Sequence, residues 1–126
     1  MIVDTDVLIW YFGGNPKAEK CLLNSQEISI SAVTLMELIQ GAKNKRELNL
    51  INKFLHENAI RVYYINEEIN LHAIHLLEGY TLSHGTEWGD ALIAATVLYH
   101  GEKLLTANIK HYAPLPNIEL KKFAPH

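Results

Sequence analysis

The chain is nearly devoid of cysteine: Cys21 is alone among 126 residues. No internal disulfide can form, and this composition fits a small cytoplasmic protein better than a secreted scaffold. Cys21 lies in Ala18-Glu19-Lys20-Cys21-Leu22-Leu23, a helical apolar stripe, and reads as a core residue rather than a nucleophile. Long hydrophobic runs are missing too. The longest strongly apolar stretch, residues 91–98 with Thr96 inside it, is too short to span a bilayer, so no membrane association is expected. No leader is expected either, because Asp4 and Asp6 stand where a basic leader would need to be. Positive charge is scarce as well, with a formal net charge of −3. Proteins that coat nucleic acid are usually basic. Polyanion binding here therefore requires a local basic patch, or cations that invert the sign of an acidic pocket. This argues against a sequence-specific DNA-binding module and leaves a metal-dependent nuclease open. The seven histidines form no clear zinc pattern, and His72 and His75, spaced i, i+3 on a predicted helix, read as a solvated face.

Apolar residues make up 48% of the chain and charged residues 20%, which indicates a folded protein with one real core, here a single domain over 1–126. Short apolar strands alternate with helical patterns. Strands are expected over 2–4, 27–31, 61–65, 103–106 and, at an edge, 117–120. Helices are expected over 7–12, 16–23, 32–40, 46–57 and 67–80, with a loop over 81–88 and a last helix from 89 or 90 to about 100. Alternation of this kind implies an α/β fold with a small central parallel sheet and helices on both faces. Ala91-Leu92-Ile93-Ala94-Ala95-Thr96-Val97-Leu98 is apolar almost all round, so its helix should be buried against the sheet.

The opening Met1-Ile2-Val3-Asp4-Thr5-Asp6-Val7-Leu8-Ile9-Trp10 carries the strongest signal. A strand runs directly into two carboxylates and a hydroxyl, and ligands of open parallel sheets sit at strand C-termini. Aspartate is a poor choice for strands and helix interiors but a good oxygen ligand for a divalent cation. Asp4 or Thr5 could equally cap the following helix. Two further acids occupy comparable places. Glu37 lies in the helix after the second strand; Thr34-x-x-Glu37 matches a capping box, yet Ser31 is the better start signal. Asp90 opens the buried helix, where it would also favour the helix dipole. Three carboxylates at one sheet edge would repel one another unless cations filled the pocket. Magnesium suits such a site.

Four motifs occur in order: Ile2-Val3-Asp4-Thr5-Asp6-Val7-Leu8-Ile9, Ser31-Ala32-Val33-Thr34-Leu35-Met36-Glu37-Leu38-Ile39-Gln40-Gly41, Gly89-Asp90-Ala91-Leu92-Ile93-Ala94-Ala95-Thr96, and Leu104-Leu105-Thr106-Ala107-Asn108. Together they resemble the PIN domain and, within it, the VapC-like toxins of toxin–antitoxin pairs. The resemblance implies a three-layer α/β/α sandwich and a metal-dependent endoribonuclease. It marks Asp4, Glu37 and Asp90 as catalytic and metal-site residues, with Mg²⁺ or Mn²⁺ as the ion. Thr5, Asp6, Thr106 and Asn108 take supporting places. Asn108 is the neutral form of a position that can be acidic, which weakens the case for a second, tightly held metal. His111-Tyr112 stands where many members have an acid before an aromatic, removing another acidic contributor. The implied mechanism is in-line attack of a metal-activated water on an RNA phosphodiester, leaving a 5′-phosphate and a 3′-hydroxyl.

Lys43, Lys45 and Arg46 cluster just beyond Gly41. They read either as a solvated face or as a guide for an RNA backbone. Trp10, Tyr11 and Phe12 cannot all face one core, since helix neighbours are about 100° apart, so at least one should line a groove or interface. The resemblance implies a VapB-like antitoxin segment near the site and a homodimer of the toxin. A haloacid-dehalogenase-like phosphatase also begins with a strand and Asp-x-Asp. It needs a further acid pair, however, and here Gly89-Asp90 is followed by Ala94 at the matching position. A non-catalytic PIN-like scaffold would be favoured by loss of the carboxylates, and three are retained.

Overall fold

The computed structural model describes residues 1–25 and 27–126. At its centre lie β1 (Ile2–Val3) and β4 (Lys103–Thr106), paired in parallel with Ile2 opposite Leu104 and Val3 opposite Leu105. All four of these side chains are fully buried. Successive strand residues point to opposite faces. Ile2 and Leu104 accordingly join one core cluster, while Val3 and Leu105 join the other. Strands apolar on both sides belong in the interior of a sheet covered on both faces. The flanking strands are β2 (Ser29–Ser31), β3 (Arg61–Tyr63) and β5 (Glu119–Lys122), giving the all-parallel order β3-β2-β1-β4-β5.

One face is covered chiefly by α5 (Glu67–His84), α6 (Trp88–His100) and the short α7 (Ile109–Tyr112), through Ile69, Ala73, Leu76, Ala94 and Tyr112. The other is covered by α1 (Thr5–Phe12), α2 (Pro16–Leu23), α3 (Ala32–Gly41) and α4 (Lys45–Glu57), through Val7, Leu8, Ala18, Leu38, Ile51 and Phe54. The three-layer α/β/α arrangement is thus the one expected from the sequence. Cys21 is half-buried against the second cluster. Among the described residues, no helix is long and apolar enough to cross a membrane.

Several boundaries differ from the sequence reading. The first strand stops at Val3, because Asp4 turns to cap α1. The helix expected over 67–80 continues to His84, and the loop shrinks to residues 85–87. Thr81-Leu82-Ser83-His84 contains no breaker, and the chain turns only at Gly85, whose φ of 68° is the left-handed cap that glycine adopts freely. Leu82 is 98% exposed, so burial periodicity gave no hint of this last turn. The final strand is Glu119–Lys122 rather than 117–120, since Asn117 sits at φ 66°, outside strand geometry. The four-residue α7 was too short to leave a periodic signal.

The topology positions the site. From β1 the chain builds outward through β2 and β3, then crosses to β4 on β1's other side and ends at β5. Neighbouring strands whose connections leave in opposite directions open a crevice at their C-terminal ends. Asp4 directly follows β1, and Thr106 closes β4.

Candidate active site

Asp4 is fixed from three sides. Its backbone N–H donates to the Leu105 carbonyl (2.9 Å), extending the β1–β4 pairing by one residue. Its Oδ1 accepts from the Thr5 N–H (2.9 Å), and its Oδ2 accepts from the Thr106 hydroxyl (2.7 Å). The Tyr112 hydroxyl stands 3.1 Å from Oδ1. Asp4 does cap α1, but the contacts from β4 and α7 are not capping contacts. Only 5% of the residue is exposed.

Asp90, in the first turn of α6, enters from the other side of the crevice. Its Oδ1 lies 3.2 Å from the same Tyr112 hydroxyl, and its Oδ2 lies 3.3 Å from Nδ1 of His111. Two carboxylates far apart in sequence therefore meet across one buried phenol. Glu37 reaches this pair through Thr5. The Thr5 hydroxyl donates to Glu37 Oε1 (2.7 Å) and lies 2.9 Å from the hydroxyl of buried Thr34. Helix α3 starts at Ala32 with the Ser31 hydroxyl accepting from the Val33 N–H (3.0 Å), so Thr34 and Glu37 form no capping box. Glu37 is solvent-exposed at the rim beside Leu38 and Gly41.

Asp6 is used differently. Its Oδ1 accepts from the Val7 N–H (2.8 Å) and its Oδ2 from the Ala107 N–H (2.9 Å), tying α1 to the turn after β4. In that turn the Asn108 N–H donates to the Thr106 hydroxyl (3.0 Å). The structure thus links Asp4, Thr5, Asp6, Glu37, Asp90, Thr106 and Asn108 into one hydrogen-bonded neighbourhood. Lys43, Lys45 and Arg46 are exposed; Lys43 lines a groove together with Glu37, while Lys45 and Arg46 stand in the first turn of α4, outside that groove. Two cations at that helix end oppose its dipole.

The electrostatics are those of negative charge without enough positive charge nearby. Burial, then the charge of Asp6 and to a smaller extent that of Asp90, pushes the Asp4 carboxyl up to about 7 against the hydrogen bonds from Thr106 and Thr5. Burial raises Asp6 and Asp90 as well, with His111 pulling Asp90 the other way. Burial and the two carboxylates hold the Tyr112 phenol protonated. Such a pocket attracts either protons or a cation. Among the described residues, no three carboxylate, imidazole or thiol groups stand close enough to enclose an ion on their own. The Asp4–Asp90 pair with Glu37 at the rim suits a hard cation of the magnesium type, which is commonly held by one or two carboxylates while keeping several waters.

Three contributors do not follow from the sequence pattern. His111-Tyr112 marks the loss of an acid there, yet both side chains contact Asp90 and Tyr112 also contacts Asp4. Thr34 suggests only a cap, although its i, i+3 spacing to Glu37 puts both on one helix side.

A groove of about 450 Å³ adjoins Glu37, with apolar walls formed by Ile9, Phe12, Leu38, Leu50 and Ile51. The aromatic run divides as helical geometry requires. Tyr11 packs on Phe54 (ring centroids 4.8 Å), Phe12 turns toward the groove, and Trp10 lies outside against His126 (5.5 Å).

Comparison with known proteins agrees with this architecture. The family model described as PIN domain matches residues 1–113. Ribonuclease VapC19 of Mycobacterium tuberculosis (strain ATCC 25618 / H37Rv) is 29% identical over 123 residues, covering 94% of this chain and 96% of that protein. Solved structures share the fold, among them two toxin–antitoxin assemblies. DNA-bound VapBC from Salmonella typhimurium superposes with a TM-score of 0.82 at 24% identity, covering 98% of this chain and 97% of that one. VapBC2 from Rickettsia felis, bound to a DNA fragment from its promoter, gives 0.79 at 20% identity, covering 98% of each chain.

Proposed function

This chain belongs to the PIN domain family, and on that premise we propose that it is a divalent-cation-dependent endoribonuclease, the toxin of a toxin–antitoxin pair. The observation that carries the reading is the meeting of Asp4 and Asp90 across Tyr112 at the β1–β4 crevice. Support comes from a relative named a ribonuclease over nearly its whole length.

Asp4 and Asp90, with Glu37 at the rim, would hold Mg²⁺, or Mn²⁺ in its place. When bound, the cation supplies charge neutralisation at the scissile phosphate and lowers the pKa of the attacking water. The chain's own part is positioning, which accounts for much of phosphodiester chemistry. The Thr5 N–H and the Thr106 hydroxyl fix both oxygens of Asp4. The Thr5 hydroxyl holds Glu37 toward the crevice. Asp6 locks the turn that presents Asn108. Lys43 stands beside Glu37 in the groove wall, with Lys45 and Arg46 following it, as a local basic patch for an RNA backbone. Attack in line leaves a 5′-phosphate and a 3′-hydroxyl. A phosphatase reading is disfavoured, because both Asp6 oxygens accept backbone N–H groups and residue 94 is a buried alanine.

Purified protein incubated with total RNA should release discrete fragments in magnesium and none in EDTA, with single-stranded DNA as the comparison substrate. Equal cleavage in EDTA would remove the cation from the reading; cleavage of DNA alone would remove the ribonuclease.

The groove beside Glu37 offers an apolar trough for a VapB-like segment, as the toxin–antitoxin assemblies among structures of the same fold suggest. Phe12→Glu should weaken capture of the co-expressed product of an adjacent short reading frame at least tenfold, about 1.4 kcal/mol, while RNA cleavage persists. Unchanged capture would reject the groove as the docking place. Exposed Leu71 and Ile74 on α5 leave an apolar face for a second copy of the toxin in a homodimer.

A further inference from the structure

Tyr112 is fully buried, and its ring packs in the core cluster that contains Ile2, Ala94 and Leu104. A phenylalanine would fill that space equally well. The hydroxyl therefore needs its own account, since a buried phenol normally has a hydrogen-bond partner. Its partners are Oδ1 of Asp4 at 3.1 Å and Oδ1 of Asp90 at 3.2 Å. These oxygens come from opposite walls of the crevice, one after β1 and one from the first turn of α6. Like charges would drive the two carboxylates apart. A single phenol proton fixed to the sheet core and shared between the two oxygens opposes that separation.

We infer that the Tyr112 hydroxyl is a positioning group, holding Asp4 and Asp90 at the spacing that a divalent cation requires. The inference rests on the cation-dependent reading above. Two features support a built arrangement. The ring cannot swing away, because it is enclosed. Thr106 takes Oδ2 of Asp4 and the Thr5 N–H shares Oδ1, and among the described residues Tyr112 is the one side chain hydrogen-bonded to both Asp4 and Asp90. Groups that orient metal-binding carboxylates typically cost ten- to a hundredfold in metal affinity when removed.

The test is Mn²⁺ binding to the full chain, followed by calorimetry and by the electron paramagnetic resonance of free Mn²⁺. The proteins compared are the wild type, Tyr112→Phe and Asp4→Asn. Tyr112→Phe should bind Mn²⁺ about tenfold more weakly with a native melting transition. Its RNA cleavage should fall at low Mn²⁺ and recover at high Mn²⁺, whereas Asp4→Asn should not recover. Tyr112→Met serves as a second hydroxyl-free variant if the phenylalanine perturbs folding, and should lose affinity alike. Unchanged or tighter Mn²⁺ binding by well-folded Tyr112→Phe overturns the positioning role while leaving the nuclease reading intact. Equal Mn²⁺ binding by wild type and Asp4→Asn instead overturns the cation site itself, and the proposal with it.

Discussion

Asp4→Asn should lose RNA cleavage by about a thousandfold at saturating magnesium, equivalent to roughly 4 kcal/mol of transition-state stabilisation. The substitution keeps the shape of the side chain. Its amide oxygen can still accept from the Thr5 N–H, so the cap of α1 persists. What it removes is one of the two charges that meet across Tyr112. Asp4 occupies the switch point between β1 and β4, and neither neighbouring carboxylate is free to replace it: Glu37 is tethered to Thr5, and Asp6 is committed to the N–H groups of Val7 and Ala107. Circular dichroism and thermal melting should show an intact fold. A variant that cleaves total RNA at the wild-type rate would remove Asp4 from the chemistry.

Much of this neighbourhood is legible in the sequence, for physical reasons. Aspartate after an apolar strand suits neither a strand nor a helix interior, but it does suit a helix cap, which Asp4 forms; it is the company of Glu37 and Asp90 at comparable places that points beyond capping. Thr106 and Asn108 were legible through a resemblance of motif, and the pairing of β4 with β1 puts them beside Asp4. Tyr112 was not legible in its role. A tyrosine in an apolar segment reads as core, and it is core; only the three-dimensional path of α7 shows where its hydroxyl points. The double role of Asp6 was hidden for a related reason. Its partner, the Ala107 N–H, is a backbone group, and no side-chain pattern announces it. The fold was easier. Two-residue alternation across Ile2-Val3 and Leu104-Leu105 needs covering layers on both faces, whereas the extra turn of α5 through Leu82 buries almost nothing and left no trace in the pattern.

In EDTA, the protein should become less stable as pH rises from 5.5 to 8, the reverse of ordinary acid unfolding. The sign follows from proton binding. Asp4 is pushed up to about 7 in the folded protein, from the 3.8 of an ordinary aspartate. Between those values the folded state holds a proton that the unfolded chain has released, so stability falls as pH rises through the window and levels off above it. Across the whole window the difference is on the order of 4 kcal/mol. The part between pH 5.5 and 8 is about 2 kcal/mol, or roughly 8 °C in melting temperature for a domain of this size. The raised values of Asp6 and Asp90 act in the same direction. Divalent cations should reverse the loss, because they bind the deprotonated carboxylates and compete with the proton. Magnesium or manganese should therefore raise the melting temperature more at pH 8 than at pH 5.5. Asp4→Asn should flatten the pH dependence and, with it, most of the cation response. Differential scanning calorimetry at both pH values, with and without cation, reads all of these. A wild-type transition that climbs toward pH 8 in EDTA would mean that the crevice carboxylates are already neutralised by the protein's own groups, leaving a cation no charge to relieve.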